Sequence, residues 1–337
     1  MKNLSLLLIS LILSLIILEF SLSKLLPRFN PSSQFAFYYN PDGVALGPKS
    51  FRGHQADNSG DFHVTISINK YGFRDIKDFS TSTYHDIFVV GDSFSFGDGV
   101  EENERFSNLI ESKLRIPVFN ISIPGNFNDY EKYLKYAQAN EAKIKNIIIG
   151  VCVENDLWDY SSNNEKQNPY KISEKRASIL VDIKEYLTKH STTYFTIAWI
   201  VKHNVYLRNL FIKLGLIYDI PEVLNKSYFN ESILNSSALK LKQISNGFKT
   251  IVLIIPSRSL WLGDNKEIES AVHNEFVRLV RNQGLDVIDM RPILEASGNP
   301  LQYHFPNNGH WNIQGHALAA EAITVRIKQT GLGRHNP

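Results

Sequence analysis

Five short apolar runs, separated by longer segments of helical period, constrain the fold of this chain more than any other feature. Their length and β-branched residues predict buried strands over Asp86–Val90, Ile116–Ile121, Asn146–Val153, Thr250–Ile255 and Leu285–Asp289. Helical period predicts helices over Glu104–Leu114, Asp129–Ala142, Lys266–Gln283 and Gly315–Lys328. Apolar strands that alternate with helices imply a parallel sheet covered on both faces. We therefore predict an α/β fold, a three-layer sandwich around a five-stranded parallel flavodoxin-like sheet of order 2-1-3-4-5.

The N-terminal segment Leu4–Leu22 predicts a transmembrane helix. Of its 19 residues, 14 are Leu, Ile or Phe, and the helix spans roughly 28 Å, close to a hydrocarbon core of roughly 30 Å. Glu19 is unusual within a span, but it lies near the end and can reach the interface. A cleaved signal peptide is the alternative, with Ser21 and Ser23 before the cut. We favour a single-pass anchor, because the apolar run is long and lacks an A-x-A end.

Composition and pattern divide the chain into three parts. Residues 1–24 form the anchor or signal segment, and residues 25–85 form a polar, Gly- and Asn-rich extension. Residues 86–330 form the strand–helix domain, with an insertion at about 160–248. Either reading of the N-terminus places this domain on the extracytoplasmic side, in the periplasm or at the cell surface.

Within the insertion, Tyr194–Leu216 is apolar but contains Lys202, Arg208 and Lys213. The pattern fits a lid, a membrane-surface helix, or an extra helix pair that covers the core. A second transmembrane span fits less well, because the charges are central.

Charge and cysteine content exclude several classes of function. The chain has 36 Lys and Arg against 34 Asp and Glu, a formal charge of +2, so no basic field predicts a nucleic-acid partner. Cys152 is the only cysteine, which excludes intrachain disulfides and multi-cysteine zinc sites. His304, His310 and His316 recur every six residues. On a helix this spacing would place them on different sides, so it is only weak evidence for a zinc site. We predict neither a metal nor a cofactor.

Distinctive residues follow four of the five predicted strands. Ser93 follows the first strand in the run GDSFSFG, Gly125 follows the second, Asn155 the third and His310 the fifth. Ligands bind open parallel sheets beyond the carboxyl ends of the strands, at the switch point, which here lies between the first and third strands. Ser93 and Asn155 are therefore expected to face each other there.

These residues can perform nucleophilic acyl chemistry. A serine hydroxyl attacks when a base takes its proton, and His310 is the base that this placement offers for Ser93. The backbone N–H at Ser93, the N–H of Gly125 and the side-chain amide of Asn155 can form an oxyanion hole. Gly-Asp-Ser and Asn-Asp alone are common turn sequences, so the prediction depends on the ordered set.

This ordered set resembles the SGNH (GDSL-like) hydrolase superfamily. In that family a Gly-Asp-Ser block carries the nucleophile, a downstream Gly and the Asn of a G-x-N-D block complete the oxyanion hole, and a late block carries the histidine. Ser93, Gly125, Asn155 and His310 occupy those positions. The resemblance covers about residues 65–330 except the insertion. The sequence segments around these residues look like those of the bacterial membrane-anchored branch: NKYGFR, VVGDSFSFGDGV, NISIPG, ENDLWD and NNGHWNIQGHALAAEAI. It implies a serine esterase or O-acyltransferase that acts on acyl esters, acetyl esters of envelope glycans or lipids being the expected class.

The sequence departs from the family pattern in two places. Val153 stands where the third block usually has Gly, and Asn307 and Asn308 stand where a carboxylate usually orients the histidine. We predict Asn308 as the third catalytic residue, because an amide oxygen can accept the imidazole N–H although it carries no charge. Asp289, at the end of the fifth strand, is the alternative carboxylate, or else a turn residue.

Two further alternatives remain. The asparagines before His310 also fit a non-catalytic envelope scaffold that keeps the fold to bind glycan. Trp311 can wall the site, stack on a sugar, or simply pack in the core. The G-x-S-x-G spacing of the α/β-hydrolase elbow is missing around Ser93, which disfavours that class.

Overall fold

The computed structural model describes residues 2–31, 36–57, 59–161, 183, 186–188, 190–214, 216 and 230–333. The chain forms two compact units. The larger unit contains residues 36–52, 65–168 and 219–337, and the smaller unit contains residues 1–35, 53–64 and 169–218.

The elements are numbered along the chain. The strands are β1 (Tyr38–Tyr39), β2 (Ala45–Leu46), β3 (Arg52–Ala56), β4 (His63–Ser67), β5 (Ile87–Gly91), β6 (Val118–Asn120), β7 (Asn146–Cys152), β8 (Lys249–Ile255) and β9 (Asp286–Asp289). The described helices are α1 (Lys2–Leu25), α2 (Ser93–Phe96), α3 (Phe106–Leu114), α4 (Phe127–Ala139), α5 (Thr192–His203), α6 (Val205–Lys213), α7 (Glu231–Ser245), α8 (Lys266–Asn282), α9 (Met290–Glu295) and α10 (Ile313–Thr330).

The central sheet of the larger unit has the order β6-β5-β7-β8-β9, and its neighbouring strands are parallel. In sequence order this is 2-1-3-4-5, so the predicted topology is confirmed. Gly91 of β5 pairs with Gly150 of β7, so the loops after these two strands leave from the same edge of the sheet. The five strand predictions are correct to within two residues at each end.

Helices cover both faces of this sheet and produce the predicted three layers. Phe88 and Val90 of β5 point into a core formed with α4, α7 and α8. Ile87 and Val89, which alternate with them, point into a second core formed with α3, α9 and α10. Burial on both faces explains why the strands are apolar without a polar side.

Helix α7 lies in the connection between β7 and β8 and was not predicted. Leu234, Ala238 and Leu241 are buried against the sheet, at spacings of four and three residues. Ser, Asn and Lys residues between them lower the apolar content of the segment, so the helical spacing of the three apolar residues was not recognised in the sequence. The last part of the predicted insertion is therefore a helix of the larger unit that covers its sheet. Residues 162–182 of the insertion lie outside the described residues.

The smaller unit contains the apolar N-terminal helix. Helix α1 is a single helix, and by length and composition its segment Ser5–Leu25 can cross a membrane, a property that signal sequences share. The predicted segment Tyr194–Leu216 is divided into helices α5 and α6. Asn204 separates them, because its side chain accepts the N–H groups of Tyr206 and Leu207 at 3.1 Å and begins α6.

Candidate active site

Ser93 is the first residue of the short helix α2, directly after β5. Asp92 caps this helix, and its Oδ1 accepts the N–H of Phe94 at 3.0 Å and of Ser95 at 3.4 Å. Gly91 is required before it, because a Cβ there would overlap the Ser95 hydroxyl. The strand-to-helix turn therefore holds Ser93 at the end of the sheet, with an N–H that has no acceptor within its own helix.

His310 contacts the Ser93 side chain directly. Its Nε2 lies 2.8 Å from the Ser93 Oγ, and its Nδ1 is hydrogen-bonded to the Oδ1 of Asn308. An amide oxygen can only accept, so Nδ1 carries the proton and Nε2 has the lone pair that accepts the serine O–H. The structure thus brings together Ser93, His310 and Asn308, the three residues predicted as catalytic.

The loop that carries His310 closes on itself. The N–H of Phe305 donates to the carbonyl of His310 at 2.8 Å, and the N–H of Gly309 donates to the carbonyl of Phe305 at 3.1 Å. Phe94, the residue after Ser93, packs its ring 5.0 Å from the imidazole centroid. These contacts hold the imidazole over the serine.

Asp98 is a site carboxylate that the sequence analysis missed. Its Oδ2 lies 3.7 Å from the Nε2 of His310, and its N–H donates to the carbonyl of Ser93 at 3.0 Å. Because it faces Nε2, it does not replace Asn308 as the group that orients Nδ1. Its charge can stabilise an imidazolium. The second Asp of the run GDSFSFGD was the signal available in the sequence.

Gly125 and Asn155 lie in the loops after β6 and β7, the two strands that flank β5. Gly125 directly precedes the cap of α4, and the side chain of Asn155 is exposed. Trp158 holds the Asn155 backbone, since its Nε1 donates to the Asn155 carbonyl at 2.7 Å. Both predicted oxyanion-hole residues are thus at the edge of the sheet where Ser93 lies.

Two tyrosines connect these flanking loops, and the sequence analysis missed them. The Tyr130 hydroxyl lies 3.0 Å from both carboxyl oxygens of Asp156 and 3.5 Å from the carbonyl of Gly125. The Tyr160 hydroxyl donates to the Asp156 carbonyl at 2.8 Å and accepts the N–H of Phe127 at 3.2 Å. The positions of Gly125 and Asn155 therefore depend on one hydrogen-bonded network.

An ion pair braces the histidine loop from the other side. Arg258 binds the Glu154 carboxylate through Nη2 at 2.7 Å and Nε at 3.3 Å. Burial opposes the charge of Glu154, but Arg258 outweighs it and lowers the pKa of this carboxyl below its ordinary value. Gly309 has φ +87°, and a Cβ there would overlap the guanidinium. Arg258 thus joins the residue before Asn155 to the residue before His310.

Buried carboxyls lie beneath the nucleophile loop. Burial raises the pKa of Asp92 to about 7, and the backbone N–H groups that it accepts oppose this. Burial, together with the charge of Asp92, also raises the pKa of Asp156 well above its ordinary value. Protonation of one member of this pair avoids two buried like charges.

The turn Asn69–Arg74, the NKYGFR motif, supports the loop after Ser93. The Asn69 side chain accepts the N–H groups of Tyr71 and Phe73 at 3.0 and 3.1 Å. The fully buried Arg74 donates to the carbonyls of Gly97 at 2.5 Å and Val100 at 2.6 Å. This motif is therefore a structural brace for the nucleophile loop.

The structure decides between the alternative roles of two residues, Trp311 and Asp289. Trp311 is fully buried, with its ring 5.3 Å from that of Phe94, so it packs in the core and cannot stack on a sugar. Asp289 accepts the N–H of Arg291 at 2.9 Å and contacts the Nε2 of His273 at 2.9 Å. It begins α9 as a turn residue, with its carboxylate directed to His273.

The remaining histidines of the late block are buried and neutral. Burial lowers the pKa of His304 to about 4 and that of His316 to about 3. The Nδ1 of His316 accepts the N–H of Phe106 at 3.3 Å. Among the described residues, no group of three His, Cys, Asp or Glu side chains is placed to hold a metal ion.

No protein-family profile matches this sequence, and no curated protein matches it. Its structure is similar to a lipase/acylhydrolase from Enterococcus faecalis, with 13% identity, a TM-score of 0.41, and 73% of this chain and 96% of that chain covered. A lipolytic protein of the G-D-S-L family from Desulfitobacterium hafniense has 13% identity and a TM-score of 0.40, with 72% and 98% covered. A two-domain esterase active on acetylated mannans has 11% identity and a TM-score of 0.39, with 72% and 49% covered.

Proposed function

We propose that this protein is a serine-dependent ester hydrolase or O-acyltransferase of the SGNH type. The observation that carries the proposal is the 2.8 Å distance between the Ser93 Oγ and the Nε2 of His310, whose Nδ1 is held by Asn308. A hydroxyl hydrogen-bonded to an oriented imidazole is the arrangement that activates a serine nucleophile.

The first half-reaction forms an acyl-enzyme. Ser93 loses its proton to the Nε2 of His310 as Oγ bonds to the ester carbonyl carbon, and the carbonyl electron pair moves onto oxygen. The N–H groups of Ser93 and Gly125 and the amide of Asn155 stabilise that oxyanion. The intermediate then collapses, the bond to the alkoxy oxygen breaks, and His310 returns its proton to the leaving alcohol.

The second half-reaction releases the acyl group. Water or a sugar hydroxyl gives its proton to His310 and attacks the acyl carbon, and Ser93 recovers its proton from His310 as the ester bond breaks. Water gives hydrolysis, and a sugar hydroxyl gives acyl transfer. In both halves Asn308 keeps the imidazole in the required tautomer, and the Asp98 carboxylate stabilises its positive charge.

The expected substrates are acetyl or other acyl esters of envelope glycans or lipids. We infer this class from the proposed anchoring by α1, which would put the larger unit on the extracytoplasmic side of the membrane, within reach of the envelope. The alternative is a scaffold that binds glycan without chemistry, and the asparagine in place of a triad carboxylate supports it.

In the deciding experiment, the full chain is incubated with 4-nitrophenyl acetate, the reaction is stopped with acid, and the mass of the protein is measured. We expect one added acetyl group, on the peptide that contains Ser93, and none in Ser93→Ala. An unmodified wild-type protein without turnover, but with binding of acetylated polysaccharide, would establish the scaffold instead. The products formed in the presence of a glycan acceptor separate the two reactions. Hydrolysis releases free acetate, whereas transfer produces acetylated sugar.

A further inference from the structure

Glu19, the charged residue within the apolar segment of α1, is used to begin another helix. Its Oε1 accepts the N–H of Thr192 at 2.6 Å, and its Oε2 accepts the N–H of Thr193 at 3.0 Å and the Ser191 hydroxyl at 2.8 Å. The first N–H groups of a helix have no acceptors within it, and the helix dipole favours an anion at that end. Glu19 is thus a capping carboxylate that joins α1 to α5.

Further contacts hold the segment directly after α1 within the smaller unit. The ring of Phe29, just after α1, lies 5.6 Å from the ring of Trp199 on α5. The carbonyl of Asn30 lies 2.8 Å from the Nε2 of His54. A signal peptide cut near Lys24 would remove the Glu19 carboxylate and leave the α5 cap without it. The Glu19 contacts therefore favour retention of α1 over its cleavage.

Helices α5 and α6 expose an apolar surface with basic residues beside it. The exposed apolar side chains are Ile197, Ile200, Val205, Tyr206, Leu210 and Leu214, of which Tyr206 is 87% exposed. Lys202 and His203 lie at the end of α5, and Lys213 at the end of α6. Apolar side chains interspersed with cationic ones are typical of helices that lie in the lipid–water interface.

The position of Glu19 along α1 sets the depth at which α5 begins. Glu19 lies six positions before Leu25, the end of the segment that can span a membrane, and at about 1.5 Å per residue this is about 9 Å. Interfacial helices bury their apolar face about 5–10 Å deep, at the boundary of headgroups and acyl chains. If α1 spans the bilayer, Glu19 therefore holds the start of α5 at the interfacial depth.

We propose that the smaller unit docks on the membrane, with α5 and α6 embedded in the lipid–water interface beside a retained α1 and fixed there by Glu19. The occupant of the exposed apolar surface is the bilayer itself, with anionic headgroups around the lysines. The inference rests on the proposed anchoring by α1 and is independent of the ester chemistry.

The first test measures lipid contact in the full chain, reconstituted into vesicles of phosphatidylcholine and phosphatidylglycerol. A fluorescent thiol label is placed at Leu210→Cys, with Leu13→Cys on α1 and the exposed Tyr84→Cys of the larger unit as references. The native Cys152 is buried and burial raises its thiol pKa well above the ordinary value, so unsubstituted protein is the blank. Acyl chains brominated near the headgroup or mid-chain serve as quenchers.

We expect the labels at Leu13 and Leu210 to lose most of their fluorescence in vesicles with brominated lipids. At Leu210 the bromines near the headgroup should quench most. The label at Tyr84 should keep its fluorescence. Quenching at Leu13 alone would overturn interfacial docking and leave the anchor intact. Quenching at neither position would overturn the anchor as well. A mature N-terminus near Lys24 in membrane-bound protein would refute retention of α1.

The second test concerns Glu19 itself. In Glu19→Leu, amide hydrogen exchange at Thr192 and Thr193 should become faster and quenching at Leu210 should fall. The matched control is Ser14→Leu, since the Ser14 hydroxyl bonds only the carbonyl of Ser10 on its own helix, at 2.8 Å, among the described contacts. Glu19→Gln, which keeps one acceptor oxygen, should lie between the two. Equal exchange in Glu19→Leu and Ser14→Leu would show that Glu19 does not fix α5.

Discussion

The Nε2 of His310 lies 2.8 Å from the Oγ of Ser93, although 217 residues separate them in the chain. The parallel sheet is the reason, because it brings the carboxyl ends of its strands to one edge. The loop between α9 and α10, which carries His310, and the turn after β5 meet there. This contact links the fold to the proposed chemistry.

Ser93→Ala should abolish ester turnover, by about 10⁴-fold or more, because the covalent step loses its nucleophile. The fold should persist, since the described hydrogen bond of the hydroxyl is to His310 alone. Turnover of an activated acetyl ester and circular dichroism check the two statements. Ser95→Ala is the matched control, because the buried Ser95 hydroxyl has no hydrogen-bond partner among the described residues and its loss should leave turnover unchanged. Equal rates in wild type and Ser93→Ala would remove Ser93 from the mechanism.

Asn155→Ala should lower kcat by about 10²–10³, with a smaller change in KM, if its amide stabilises the oxyanion. Folding should be intact, because the Asn155 side chain is exposed and its turn is held through the backbone and Asp156. Asn282→Ala is the control, since Asn282 is exposed at the end of α8 that leads into the opposite edge of the sheet. Equal kcat values in the two variants would argue against Asn155 as a donor.

Asn308→Asp should raise turnover, because a carboxylate beside Nδ1 favours the imidazolium that forms as Ser93 loses its proton. The gain should be smaller than the ~10⁴-fold that separates Asp from Asn in a serine triad, since Asp98 already places a carboxylate 3.7 Å from Nε2. The acid limb of the pH–rate profile should move to higher pH. Asn307→Asp should do less. If Asn308→Asp changes neither rate nor profile, Asn308 is not the third catalytic residue.

Arg258→Met and Glu154→Gln should each lower kcat by about tenfold, since either change leaves one charge of a partly enclosed pair without its partner. Arg258 acts by positioning the His310 loop, so KM for a small ester should change little. The double variant should lose less than the sum of the single losses in free energy, because the two residues act together. If the free-energy losses of the two single variants add up to that of the double variant, Arg258 and Glu154 do not position the His310 loop as a pair.

His316 should make the fold sensitive to acid. Burial lowers its pKa to about 3, whereas the unfolded chain has about 6.5, so only the unfolded state binds this proton between those values. The free energy of unfolding should therefore fall as pH drops below about 6.5, by up to about 1.4 kcal/mol per pH unit from this group. Asp92 contributes the opposite slope, since its pKa is raised to about 7.

Urea unfolding at several pH values, in wild type and His316→Gln, isolates the histidine contribution. Glutamine offers an acceptor to the N–H of Phe106 but has no proton to gain, so the slope between about pH 4 and 6 should become less steep. Identical slopes in the two proteins would show that His316 is not the group responsible.

The sequence by itself determined the sheet and the edge at which the site lies. Continuous apolar runs such as Asn146–Cys152 are buried on both faces, and that pattern is local, so it can be seen without a structure. Ser93, Gly125, Asn155 and His310 follow strands in chain order, and a parallel sheet gathers such positions whatever their neighbours are. The predicted fold and strand order were correct for this reason.

Only the tertiary structure decided which side chains meet. Asp98 near His310, Arg258 against Gly309, and Tyr130 between two loops are contacts between distant segments, and no local pattern encodes them. The same holds for Asp289, which faces His273 rather than His310, and for Trp311, whose burial depends on the helices around it. Glu19 is the clearest case: in the sequence it is a charge in an apolar run, and its cap on α5 exists only because two segments 172 residues apart come together. Hydrogen bonds and ion pairs act over a few ångströms, so their partners are set by how the folded chain packs.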